Sequence, residues 1–227
     1  MNKGLTLSQI DNITSALSAA RLVTFQTVPG FSPDAHVLDR YSWHALMSAA
    51  FFASLHVCEV SVRNAVDSAL AATYGGDWPW NRNFERSLPN PLGSHFQPQA
   101  ELLRARDKMR VGATGKVIAE LKFAFWCHMF TARYQERLWR GQMHRCFPNL
   151  PKSGFPSGPA QARQVIHAEL EILRRFRNRI AHHEPVLTDP LPQLQQSILS
   201  LIRWSSLDVA DWHASWETVT SCLQRKP

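Results

Sequence analysis

Apolar positions recur at spacings of three and four along nearly the whole chain, and no stretch longer than four residues alternates in the two-residue period of a strand. Leu5, Leu7, Ile10, Ile13, Leu17, Ala20 and Leu22 predict a first helix over residues 5–25, ended before Pro29-Gly30 and followed by a loop over 31–40. Ser42 opens the longest candidate, which runs to about Thr73 with Trp43, Met47, Phe51, Leu55, Cys58 and Val62 on one face; Gly75-Gly76 ends it. Trp78-Pro79-Trp80 and Pro89-Asn90-Pro91 make 75–98 a loop anchored by aromatics. There the tryptophans either cap a helix end or stack on bases.

A polar, basic helix is predicted over 97–111 and broken by Gly112–Gly115. Residues 116–130 are apolar nearly all round, as in a helix at the centre of a bundle, and 133–146 continues with Leu138, Trp139 and Met143. Pro148 to Pro159 is a linker. Beyond it, Ile166, Leu170, Leu173, Phe176 and Ile180 define a long amphipathic helix that starts at Pro159 and is closed by Pro185. Asp189-Pro190 then reads as a cap and a first-turn proline, opening a short helix that carries Leu194, Ile198, Leu201, Ile202 and Trp204. Ser205-x-x-Asp208 then reads as a capping box opening a last helix with Val209, Trp212, Trp216, Val219 and Leu223 inward. The expectation is an all-α bundle of about six to eight helices, in which a helix and loop at 1–34 join a main helical region at 35–227 in one structural domain.

Charge sharpens this picture. Residues 101–183 hold 16 Lys or Arg against 6 Asp or Glu, whereas 1–100 and 184–227 are each slightly acidic. Such an excess suits a polyanionic partner or, more plainly, a solvated basic face. Four widely spaced cysteines form no C-x-x-C pair and give no disulfide framework. With neither a signal peptide nor an uninterrupted membrane span apparent, the expected location is the cytosol, away from membranes.

The candidate chemistry lies at the end of the 159–185 helix. Arg177 falls almost in the middle of the apolar stripe, where a guanidinium must be paired or must face an anion or a second subunit. Asn178 and His182, four apart, share a face, which sets an amide beside a ring that titrates near neutral pH. His183 points about 100° away from His182. The plainer reading of the same residues is an Arg paired to a core carboxylate and a His that caps a helix end. On the long helix, Glu59, Arg63 and Asp67 recur every four residues as a surface ion-pair ladder would. Gly115-Lys116 lacks the upstream glycine of a phosphate loop, so an NTPase is excluded, and the carboxylates do not cluster as a metal site requires.

Arg177-Asn178-x-x-x-His182 resembles the R-x(4-6)-H motif of the HEPN superfamily, and Arg-Asn-Arg-Ile-Ala-His-His-Glu-Pro over 177–185 is similar to the signature of its Abi-like, phage-resistance branch. Tyr41-Ser-Trp43, the segment Leu55 to Val66 with Glu59, Arg63 and Asn64, and Gly115 to Trp126 resemble Abi-like segments in the same order. The resemblance implies a HEPN-like helical bundle acting as a metal-independent endoribonuclease without cofactor, a growth-arresting effector built as a homodimer with a composite site. It implies Arg177 as phosphate clamp, His182 as base or acid and Asn178 as the group that orients it. His183 is a secondary candidate, and Glu59, Arg63 and Asn64 would line the groove beside the motif helix. RNA is the implied partner, with an antitoxin or sensor protein as a further one. The alternative is a non-catalytic RNA-binding or regulatory HEPN module. No Tyr stands two positions after His182, so the variant modified at such a tyrosine is not indicated.

Overall fold

Most of the helix-forming periodicity becomes helix in the computed structural model, which describes residues 4–93 and 96–227, Lys152 without its side chain; the helix expected over 97–111 ends at Arg106, and that over 133–146 is α-helical only from Arg140. In chain order the α-helices are α1 (Leu7–Leu17), α2 (Ala19–Gln26), α3 (Val37–Tyr74), α4 (Arg82–Ser87), α5 (Pro98–Arg106) and α6 (Thr114–Glu120). They continue with α7 (Phe123–His128), α8 (Arg140–Cys146), α9 (Pro159–Ala181), α10 (Leu191–Ser205), α11 (Leu207–Ala214) and α12 (Val219–Gln224). The described residues contain no strand.

The axis of the bundle is α3, 38 residues long and so about 57 Å at the helical rise. His36 caps it by accepting the Leu38 N–H at Nδ1, and Gly75, at φ 92°, ends it. Helices α2, α7, α8, α9, α10 and α12 all pack on it. Met47, Phe51, Val62, Val66 and Leu70 are fully buried, and Phe51 meets Phe176 of α9 edge to face at 4.9 Å. By length and composition α3 could also cross a membrane, with mean hydropathy 1.6 over its most apolar window, 44% of which is buried. One such helix is weak evidence for a span, because the core helix of a bundle passes the same test.

The helices are more numerous and shorter than the six to eight that periodicity suggests. The first divides at Ser18, at φ 71°, and α1 buries none of its residues; Leu7 is 83% exposed. The run at 116–130 divides before Lys122, whose N–H reaches the buried Glu101 carboxylate at 3.3 Å. Glu101 also binds Arg104 at 2.7 Å, and Lys122 Nζ lies 3.6 Å away. The last helix divides as well. Ser206, one residue later than expected, caps α11 by accepting the Val209 N–H. Its phase turns His213 inward onto Ser54 of α3 at 3.0 Å and leaves Trp212 58% exposed, contrary to the inward tryptophans expected. Trp78, by contrast, is fully buried and donates to Asp67 at 2.7 Å, so it packs and has no face for a base.

Candidate functional site

The motif helix is built as its periodicity predicts. Gly158, at φ 70°, and Pro159 start α9, and Ile166, Leu170, Leu173, Phe176 and Ile180 are buried. It stops earlier than Pro185, however, and the reason is backbone hydrogen bonding. His183 takes a left-handed conformation, at φ 57°; its N–H bonds the Ile180 carbonyl and the Glu184 N–H bonds the Arg179 carbonyl, both at 2.9 Å. That is a Schellman closure, with a histidine where glycine is usual. His182 is thus the C-cap residue and not part of the helical face.

Three side chains clamp this turn. Arg179 forms an ion pair with Asp189 at 2.6 Å and donates to the Pro185 carbonyl, while Arg21 of α2 donates to the His183 carbonyl at 2.7 Å. His44 of α3 donates from Nε2 to the Glu184 carbonyl at 3.2 Å. Burial, with Arg21 and Arg179 nearby, holds the His44 pKa below its ordinary value despite that bond.

Arg177 faces α3. Its guanidinium lies 5.7 Å from the Phe52 ring centroid, and its Nε is buried without a hydrogen-bond partner. Arg63 presents a second buried Nε in the same condition. With His56, Glu59, Leu55 and Val60 these residues line a cleft of about 150 Å³. No ion pair or hydrogen bond among the described residues engages either guanidinium, so neither the ladder through Glu59, Arg63 and Asp67 nor a paired core Arg177 forms. Asp67 is turned to Trp78 instead. Burial pushes the Glu59 carboxyl above the ordinary carboxylate range, against the pull of Arg177, Arg63 and His56. The cleft therefore sets two guanidinium groups, with donors that no described residue takes up, against a single carboxylate, and that excess of positive charge suits an anion.

The structure brings Arg177, Glu59 and Arg63 together, but not His182. His182 is exposed and is not among the residues that line the Arg177 cleft. Its link to Asn178 is the backbone bond from its N–H to the Asn178 carbonyl at 2.9 Å, not the side-chain contact that their spacing suggests. His183 lines a different cavity, a groove of about 890 Å³ over the uncovered face of α3, walled by Tyr41, Phe52, Ile180, Trp212 and Trp216. Asn64 is exposed at the edge of a third groove. Sequence reasoning passed over His56, the one imidazole in the Arg177 cleft. It stands three residues before Glu59 and seven before Arg63, so the helical period already puts it on their face.

The basic excess of 101–183 is partly consumed by the fold. Arg104, Arg106, Arg140, Arg174 and Arg179 are in ion pairs. Arg163 is buried and bound to the Phe130 carbonyl and Gln135. Among the described residues no group of three or more His, Cys, Asp or Glu could hold a metal ion. In comparisons with known proteins the chain matches no family model, no curated protein and no solved structure.

Proposed function

We propose that this chain, a HEPN-like bundle, is a metal-independent endoribonuclease that acts in the cytosol as a growth-arresting effector of phage defence. RNA carries its own nucleophile, the 2′-OH, so such an enzyme needs a proton acceptor, a proton donor and a cation on the phosphorane. The observation that carries the reading is the Arg177 cleft: a half-buried guanidinium, beside that of Arg63, with donors that no described residue occupies. Arg177 is the phosphate clamp, His182 the acid or base, and Asn178 binds substrate or steadies the turn. The resemblance of residues 177–185 to the Abi-like signature supports the same assignment.

His182 lies outside that cleft, so the assignment calls for a second copy. The uncovered apolar face of α3, with Ala45, Ala49, Phe52 and Ala53, adjoins the cleft through Phe52 and suits a two-fold contact that brings the partner's imidazole to Arg177. The same position of His182 favours the second reading, an RNA-binding or regulatory module without turnover, which an antitoxin or sensor protein would engage.

Incubation of the pure protein with mixed RNAs in EDTA, beside His182→Ala and Arg177→Ala, tests both readings. Cleavage leaving 5′-hydroxyl ends, lost in both variants, is the expected result. Binding without cleavage selects the second reading; a requirement for Mg²⁺ or 5′-phosphate products excludes the mechanism.

A further inference from the structure

A groove of about 460 Å³ lies beside the Arg177 cleft and shares His56 and Val60 with it. Its floor is apolar, made by Val57 and Val60 of α3 and Val209 of α11. Its walls are hydrogen-bonding: Ser61, Asn64 and Ser68 from α3, with Ser205 and Ser206 from the α10–α11 junction. No carboxylate lines it, and Arg145 of α8 stands at its edge. Trp212 also lines it, 58% exposed yet braced edge to face against Trp216 at 5.2 Å.

This combination is selective. Ser205 and Ser206 are engaged by the Ile202 carbonyl and the Val209 N–H, but a wholly apolar ligand would leave the Asn64 amide and the Ser61 and Ser68 hydroxyls without partners, which costs affinity when they lose water. A carboxylate-free site with an arginine at its edge favours a ligand attached to negative charge. A flat ring with donors and acceptors on its rim, tethered to phosphates, satisfies all three features: the floor and Trp212 take its faces, Asn64 takes its edge, and its phosphate reaches the Arg63 and Arg177 guanidinium groups next door.

We infer that this groove binds an unpaired nucleobase of single-stranded RNA, adjacent to the phosphate held by Arg177. The inference rests on the RNA reading above and adds to it how the strand lies: base against Trp212 and Asn64, backbone passing His56 into the cleft.

The test uses a fluorescently labelled 2′-O-methyl hexaribonucleotide, which lacks the attacking hydroxyl and so reports binding alone, beside the same strand with abasic sugars. Anisotropy titrations compare the intact protein with Trp212→Ala and Asn64→Ala. The intact protein is expected to prefer the base-bearing strand by about tenfold or more. Both variants lose that preference while binding the abasic strand as before; a merely structural Trp212 would weaken both strands alike. Asn64 is exposed, so its variant stands even if removal of Trp212 disturbs α11. Variants that keep the full preference, or an intact protein without one, overturn the base site and leave the RNA reading in place. An intact protein that binds neither strand overturns the RNA reading itself.

Discussion

The guanidinium of Arg177 sits 5.7 Å from the ring of Phe52, and that contact joins the motif helix to the uncovered face of the longest helix in the protein. Phe52 is 44% exposed and borders both the cation-lined cleft and the large apolar groove. A charged group on the α9 stripe is thereby kept at the edge of the core, where it can meet an anion from outside.

Arg177→Met should keep the fold and lose the function. Its Nε is buried without a partner, so replacement by an apolar side chain of similar length removes a desolvation cost. Thermal unfolding is expected at or above the wild-type midpoint, by up to about 1 kcal/mol, with RNA cleavage abolished. A marked fall in stability would show that the arginine holds the structure together.

Ala53→Arg is expected to yield a monomer without cleavage, because it puts a charge into the apolar face that a second copy would cover. Mixing Arg177→Ala with His182→Ala chains should restore part of the activity, since each contributes the residue the other lacks. Sedimentation at several concentrations and a cleavage assay on the mixture check this. A monomer with undiminished specific activity argues against a composite site.

Replacement of His183 by glycine should stabilise the protein by about 1 kcal/mol, because glycine accepts the left-handed conformation without the cost to a Cβ. Urea denaturation reads this directly. Stability that falls instead would mean that the imidazole packs usefully in the groove it lines.

Stability should decline as pH falls below about 6.5. Burial, with Arg133 and His167 adding to it, holds the His128 pKa down to about 4 from 6.5, and His44, His167 and His213 are lowered too. Between those values the unfolded chain binds a proton that the folded His128 does not, so each pH unit costs on the order of 1 kcal/mol from this residue alone. His128 stacks edge on with Tyr134 and its Nε2 has no partner, so His128→Phe should flatten the acid limb of the stability curve. An unchanged limb would assign the decline to the other three histidines.

RNA binding should weaken by about tenfold or more over a few-fold rise in salt, and less steeply than 16 cations in 101–183 would suggest. Many of those cations are held in ion pairs, as Arg106 is by Glu85 at 2.6 Å. Filter binding across a salt series gives the slope; affinity indifferent to salt would exclude the phosphate contacts.

By itself the sequence determined the helical class, the stripe of α9 from Ile166 to Ile180 and the odd position of Arg177 upon it, because a period of 3.6 residues acts within a single helix. It also held, unnoticed, the placement of His56 with Glu59 and Arg63, which the same period gives. Only tertiary structure decided that α9 stops at Ala181 and turns His182 away, since that turn is fixed by Arg21, His44 and Asp189, each from outside the helix. Tertiary structure likewise turned His213 in and Trp212 out. Both are compatible with an amphipathic α11, and which one is buried depended on Ser54 of α3, 159 residues away in the chain. Local periodicity specifies that a helix has faces; contacts between distant segments specify which face is covered, and the uncovered ones are where the candidate sites lie.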